Sequence, residues 1–225
     1  MRRVLPALVF VAMLAALWLV FVAVPTEREM GIVQRIFYFH VASAWVAFLG
    51  FFLVAGASAV FLRNGSRPAD RLAEASAEVG VLFCTLVLVS GPLWARPVWG
   101  VWWTWDPRLT MTVILWAIYA SYLMLRAFGG EDDAVRRYAA VLGIIGVLDI
   151  PIIRVSVLLL RGIHPTVVTR EGGLDPMMRV GLYVSVLALV LLASWLVTLR
   201  MRTARLGEEV AALRREALAR GGEAA

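Results

Sequence analysis

The chain has two histidines, His40 and His164. Five of its nine tryptophans, Trp94, Trp99, Trp102, Trp103 and Trp105, crowd into one short stretch. Imidazole is a good axial ligand for haem iron, and two imidazoles saturate it. A saturated iron is a poor oxygen or peroxide catalyst, so such a pair suits carrying haem over using it. Indoles supply flat apolar faces with one polar edge, the surface a porphyrin would lie against. The competing reading for tryptophans is an interfacial belt. Belt or core packing accounts for Trp18, Trp45, Trp116 and Trp195, but five in one stretch exceed it. Ligand contact and interface anchoring both remain open for Trp99, Trp102, Trp103 and Trp105. If part of this stretch is helical, Trp99, Trp102, Trp103 and Asp106 share a face.

Haem propionates need cationic partners. Arg108, just inside a predicted helix start, is placed for bidentate pairing. Arg154 and Arg170 are further propionate candidates, and Arg96 and Arg161 weaker ones; the competing role for each is snorkelling to lipid headgroups. Asp106-Pro107 reads first as a helix N-cap followed by proline at the first helical position, and Asp175-Pro176 repeats it. Two helix N-termini, the positive dipole ends, then point at one face. Asp149 and Arg154 fall in an apolar run with Pro151 between them. Charges inside a membrane segment are functional or paired, but at this spacing the two lie on different faces of a straight helix, and a kink at Pro151 leaves their relation open.

The elements that must position these groups follow from composition. Of 225 residues, 61% are hydrophobic, where a soluble domain is nearer half. The expected class is an all-α integral membrane protein, a six-transmembrane-helix bundle. About 20 apolar residues cross a bilayer as helix. Such runs fall at about 4–24, 36–62, 73–93, 107–128, 138–160 and 176–199, the third ending at Gly91-Pro92. The first follows Met1-Arg2-Arg3 in a signal-like pattern, but its apolar run is long and no small-x-small site follows, so it reads as an uncleaved helix. Arginines concentrate at 2–3, 63–71, 126–137 and beyond 200. By the positive-inside rule both termini are then cytoplasmic, and the Trp-rich loop at 94–108, between helices three and four, faces the periplasm. His40, one turn into helix two, and His164, past the end of helix five, meet at that same face. Residues 1–200 form the membrane domain. Residues 201–225 form a cytoplasmic tail with Leu206, Val210, Leu213 and Ala217 at helical spacing, an amphipathic extension of the sixth helix that reads as a solvated or surface-lying tail before a docking helix.

Several classes are excluded. The lone Cys84 forms no intrachain disulfide and belongs to no CxxC motif. No Gly-Lys-Ser/Thr phosphate loop is present, so the chain does not itself hydrolyse ATP. The net charge of +6 comes entirely from arginine over acid, without the basic, aromatic-interleaved stripe of a nucleic-acid groove. A quinol-oxidoreductase cytochrome b would need about four His ligands.

Val98-Trp-Gly-Val-Trp-Trp-Thr-Trp-Asp-Pro-Arg-Leu-Thr110 resembles the WWD signature of the haem-handling proteins of cytochrome c maturation. Tyr38-Phe-His-Val-Ala-Ser-Ala-Trp45 is similar to the first histidine segment of the CcmC branch. Ile150-Pro-Ile-Ile-Arg-Val-Ser156, followed by His164-Pro165, resembles its fifth helix and second histidine. The resemblance covers nearly the whole chain except the tail. It implies a bacterial inner-membrane subunit, with no catalysis of its own, that holds haem b at the periplasmic face. His40 and His164 would be the axial ligands to the haem iron. Trp99, Trp102, Trp103, Trp105 and Asp106 would form the haem and chaperone platform. The implied partners are the haem chaperone CcmE, the CcmA/CcmB ABC transporter and CcmD. Asp149 and Arg154 depart from the family pattern, so no role is carried over to them. The alternative is a CcsA-type cytochrome c synthase, which shares the WWD loop but is larger and carries more membrane histidines.

Overall fold

The computed structural model describes residues 4–130, 132–159 and 174–222. These residues are helical almost throughout: α1 (Val4–Trp18), α2 (Ile36–Asn64), α3 (Arg67–Trp99), α4 (Pro107–Phe128), α5 (Asp133–Val147), α6 (Asp149–Leu159) and α7 (Pro176–Gly222). A π-helical turn over Leu19–Ala23 prolongs α1, and a 3-10 turn over Ile32–Arg35 leads into α2. Six stretches are long and apolar enough to cross a membrane, with α5 and α6 together making the fifth. Large apolar side chains such as Phe10, Val22, Phe52, Val89 and Tyr183 are exposed on the bundle surface, as lipid-facing helices require.

Local chemistry sets the helix boundaries. Ser66 accepts a hydrogen bond from the Ala69 N–H, Asp106 from that of Leu109, Asp132 from that of Ala134 and Asp175 from that of Met177. Each bond satisfies a donor that the first helical turn leaves orphaned. α2 and α3 end at Gly65 and Gly100, both in the left-handed region at φ +69° and +77°, where a Cβ is penalised.

α2 lies at the centre, packed on α3, α5 and α7. The α2–α3 seam closes on Gly50 and Gly80, where a Cβ built on Gly50 would come 3.2 Å from the Gly80 Cα. Small residues permit this backbone approach between membrane helices. Below it Phe51 stacks on Tyr119 with centroids 3.8 Å apart, and the Tyr119 hydroxyl donates to the Gly143 carbonyl at 2.8 Å.

A buried ionic cluster joins α3, α4 and α5. Asp70 receives both Arg126 and Arg136, and Arg126 also reaches Glu74 at 2.7 Å. Two further pairs on α3, Glu78 with Arg200 and Arg71 with Glu208, fasten α7 to it. At the α-helical rise, Asp70 and Trp94 lie roughly 36 Å apart along α3, so the ionic and aromatic clusters occupy opposite ends of the bundle.

Three expectations are corrected. The third helix does not stop at Gly91-Pro92 but continues through Pro92 and Pro97 to Trp99. In a span, neighbouring helices re-satisfy the carbonyls a proline frees, so the ring is tolerated. The 94–108 loop therefore shrinks to 100–106, and since that segment is not helical, Trp99, Trp102, Trp103 and Asp106 share no helical face. The fifth span is not one helix kinked at Pro151: it breaks at Leu148, and Pro151 falls in the first turn of α6, where a missing N–H is harmless. The tail needs no such correction: its residues continue α7 without a break to Gly222, the extension of the last span that their spacing predicts, with Leu206, Val210 and Leu213 exposed.

Candidate functional site

His40 projects from the first turns of α2 onto the last third of α3. Its Nδ1 lies 2.9 Å from the Ser90 hydroxyl. Its ring meets the edge of Trp94 at a centroid distance of 5.7 Å. A Cβ on Gly91 would come 3.4 Å from the imidazole Cε1, so the ring lies directly over the helix backbone there. Ser90, Gly91 and Trp94 share one face of α3 at one and four residues' spacing, and together they seat the imidazole.

Trp94 anchors the aromatic cluster. It is buried and touches Phe37 of α2 at 5.9 Å and Trp99 at 5.6 Å between centroids. Because α3 runs past Pro92, Trp94 and Trp99 are fixed by a helix rather than carried on a loop. Pro92 removes the donor that the Leu88 carbonyl would otherwise bind. Leu88 and Pro92 both face the cavity beside His40.

That cavity has about 570 Å³ of empty space, part of it open to the surroundings, between His40 on α2, Cys84 and Leu88 on α3, Arg108 and Thr112 on α4, and Ile153 on α6. Trp103 closes one side. A second hollow shares His40 and Trp103 and is walled by Trp94, Trp99, Trp102 and Thr104. One imidazole thus faces two adjoining spaces, the first lined by a guanidinium and the second by four indoles. The Trp94 and Trp103 indole nitrogens are buried without hydrogen-bond partners among the described residues.

The expected site residues separate on this geometry. His40, Trp99, Trp102, Trp103 and Arg108 converge. Trp105 leans on Trp103 at 5.6 Å but is 74% exposed and lines neither space. Asp106 caps α4, accepting from Leu109 at 3.0 Å and from the Thr104 hydroxyl at 3.4 Å. Arg96 donates to the Gly100 carbonyl and so closes its own helix. Arg154 is exposed on α6 and lines neither space. Asp149 is buried with its Oδ2 unpartnered among the described residues, and it forms no ion pair with Arg154 there. His164, Arg161 and Arg170 lie outside the described residues.

Ser90 is a site residue that the sequence reading missed, and Trp94, counted there in the tryptophan-rich stretch, was not placed beside His40. They stand one helical turn apart, and that signal is lost once the helix is ended at Pro92. Cys84 and Thr112, deeper in the cavity, read as ordinary span residues.

A family model described as Heme exporter protein C matches residues 1–216. A Heme exporter protein C of Bradyrhizobium diazoefficiens is 34% identical over 192 residues, covering 84% of this chain and 73% of that protein. The Heme exporter protein C of Escherichia coli K12 is 32% identical over 178 residues, 79% of this chain and 73% of its own length. A putative cytochrome c biosynthesis ccmC-like mitochondrial protein of Marchantia polymorpha is 32% identical over 158 residues, 70% and 67% of the two chains. With its six long apolar helices and a match across nearly its whole length, this chain is a multi-span membrane protein of the CcmC, Heme exporter protein C, family.

Proposed function

We propose that this chain holds haem at the periplasmic face of the bacterial inner membrane and presents it to the haem chaperone CcmE, working beside the CcmA/CcmB transporter and CcmD. Haem is the cargo. His40 and His164 are its axial ligands, Trp99, Trp102 and Trp103 lie against the macrocycle, and Arg108 pairs with a propionate. Trp105 and Asp106 belong to the chaperone-facing rim. Both termini are cytoplasmic.

The observation that carries this reading is the shared lining of one cavity by His40, Arg108 and Trp103. An iron ligand, an anion partner and a flat apolar wall are the three things haem requires, and here they meet. The indole nitrogens of Trp94 and Trp103, buried and unpartnered, are donors that a bound polar group can use. The residues present therefore fit the group.

The test is the visible spectrum of the purified protein loaded with haem, compared with His40→Ala and His164→Ala. A six-coordinate low-spin spectrum lost in either variant supports the assignment. Spectra unchanged in both variants remove these histidines as ligands, and a chain that takes up no haem removes the cargo.

A further inference from the structure

The hydrogen bond between His40 and Ser90 has a direction. The Ser90 hydroxyl also lies 2.6 Å from the Leu86 carbonyl one turn back, and 3.5 Å from that of Val87. A serine has one proton to donate, and carbonyls can only accept. That proton is therefore committed to the helix backbone, and toward His40 the Ser90 oxygen can only accept. The 2.9 Å contact then requires a proton on Nδ1, which leaves the imidazole lone pair on Nε2. Serine and threonine in spans commonly bond back to the preceding turn. The unusual feature here is a second partner on the same oxygen.

We infer that Ser90 is a positioning residue: it fixes His40 in the Nδ1–H tautomer and so makes Nε2 the atom that ligates haem iron. A metal-ligating imidazole normally donates its other N–H to an acceptor, and this bond sets the ring's orientation and raises its basicity. The seat is built for that purpose. Ser90 holds Nδ1, Cε1 lies over Gly91, and the Trp94 ring packs against the imidazole in a T-shaped pair. This inference rests on the reading of His40 as an axial ligand, and the test separates the two.

The tautomer is readable without haem. With two histidines in the chain, protein labelled with ¹⁵N in its histidines gives two sets of ring signals, and the His40→Ala variant assigns them. In lipid nanodiscs, at a pH where the imidazole is neutral, His40 is expected as Nδ1–H. Ser90→Ala is expected to move it several-fold toward Nε2–H, and Ser90→Thr, which keeps the hydroxyl, to restore the wild-type pattern. A wild-type His40 found as Nε2–H, or a ratio unchanged in Ser90→Ala, overturns the inference.

In haem-loaded protein, Ser90→Ala is expected to raise the midpoint potential, because a less basic imidazole stabilises ferric iron less, and Ser90→Thr to restore it. If His40→Ala loses the low-spin spectrum while Ser90→Ala leaves the potential unmoved, the ligand stands and the positioning role falls. If His40→Ala leaves the spectrum intact, the ligand assignment itself falls.

Discussion

Arg126 holds Asp70 through both terminal guanidinium nitrogens, at 2.8 and 3.0 Å, with 7% and 3% of the two side chains exposed. Arg136 reaches the same carboxylate from α5, and Glu74 takes the second arm of Arg126. The four formal charges cancel, which is what makes the burial tolerable. Removing one partner of a buried pair strands the other and costs about 3–5 kcal/mol. Arg126→Ala is therefore expected to lower the stability of the detergent-solubilised protein by that order in a chemical unfolding titration. Asp70 keeps Arg136 in that variant while Glu74 loses its partner, so the double variant Arg126→Ala/Glu74→Gln should recover part of the loss. An Arg126→Ala protein as stable as wild type would show the cluster to be energetically idle.

The α2–α3 seam leaves no space at its glycines. A Cβ on Gly80 would sit 2.6 Å from the Phe51 ring, and that ring is stacked on Tyr119. Gly80→Val is expected to push the stack apart and to cost about 1–3 kcal/mol by overpacking. Gly56, with nothing within 4 Å of its Cβ position, should accept alanine without loss. Thermal stability of the two variants side by side tests the contrast.

Asp149 has a buried carboxylate oxygen with no partner among the described residues. An unsatisfied buried polar group costs about 1–3 kcal/mol, more when charged. Asp149→Asn removes the charge at nearly constant shape, so its unfolding midpoint is expected at or above that of wild type. A clear drop would mean that the carboxylate holds a contact outside the described residues.

Arg108 is the cation lining the His40 cavity among the described residues. If it pairs with a propionate, Arg108→Ala should weaken haem binding roughly tenfold or more, the scale of a charge-assisted bond. The same substitution should have little effect on haem dimethyl ester, whose propionates carry no charge. Equal losses for both ligands would assign Arg108 a packing role.

Trp103 borders both hollows and Trp105 neither. Trp103→Ala is expected to reduce haem retention through gel filtration, while Trp105→Ala retains haem like wild type. The reverse order would place the porphyrin on the outer side of the loop.

The spans were legible because their signal is composition over some twenty residues, and the caps because Asp106 and Asp175 act within their own first turns. The extent of α3 was not. Glycine and proline at 91–92 read as a stop from local propensity, and the cost of a proline is offset only by helices distant in sequence. The ionic cluster was illegible for a related reason. Asp70 finds Arg126 and Arg136 at separations of 56 and 66 residues, and no local pattern encodes them. The candidate site was half legible: residue type marked out His40, Trp103 and Arg108, while Ser90, one hydroxyl in an apolar run, gains its meaning only from what stands opposite.

The unequal fastening of the two ends has a mechanical consequence. Around Asp70, three helices are riveted by directional, charge-assisted bonds. Around Trp94, apart from the His40–Ser90 bond, contact is between ring faces and edges, which slide past one another at far smaller energetic cost. Under load the molecule should therefore give way first among the rings, and hydrogen–deuterium exchange is expected to be faster around Trp94 than around Asp70.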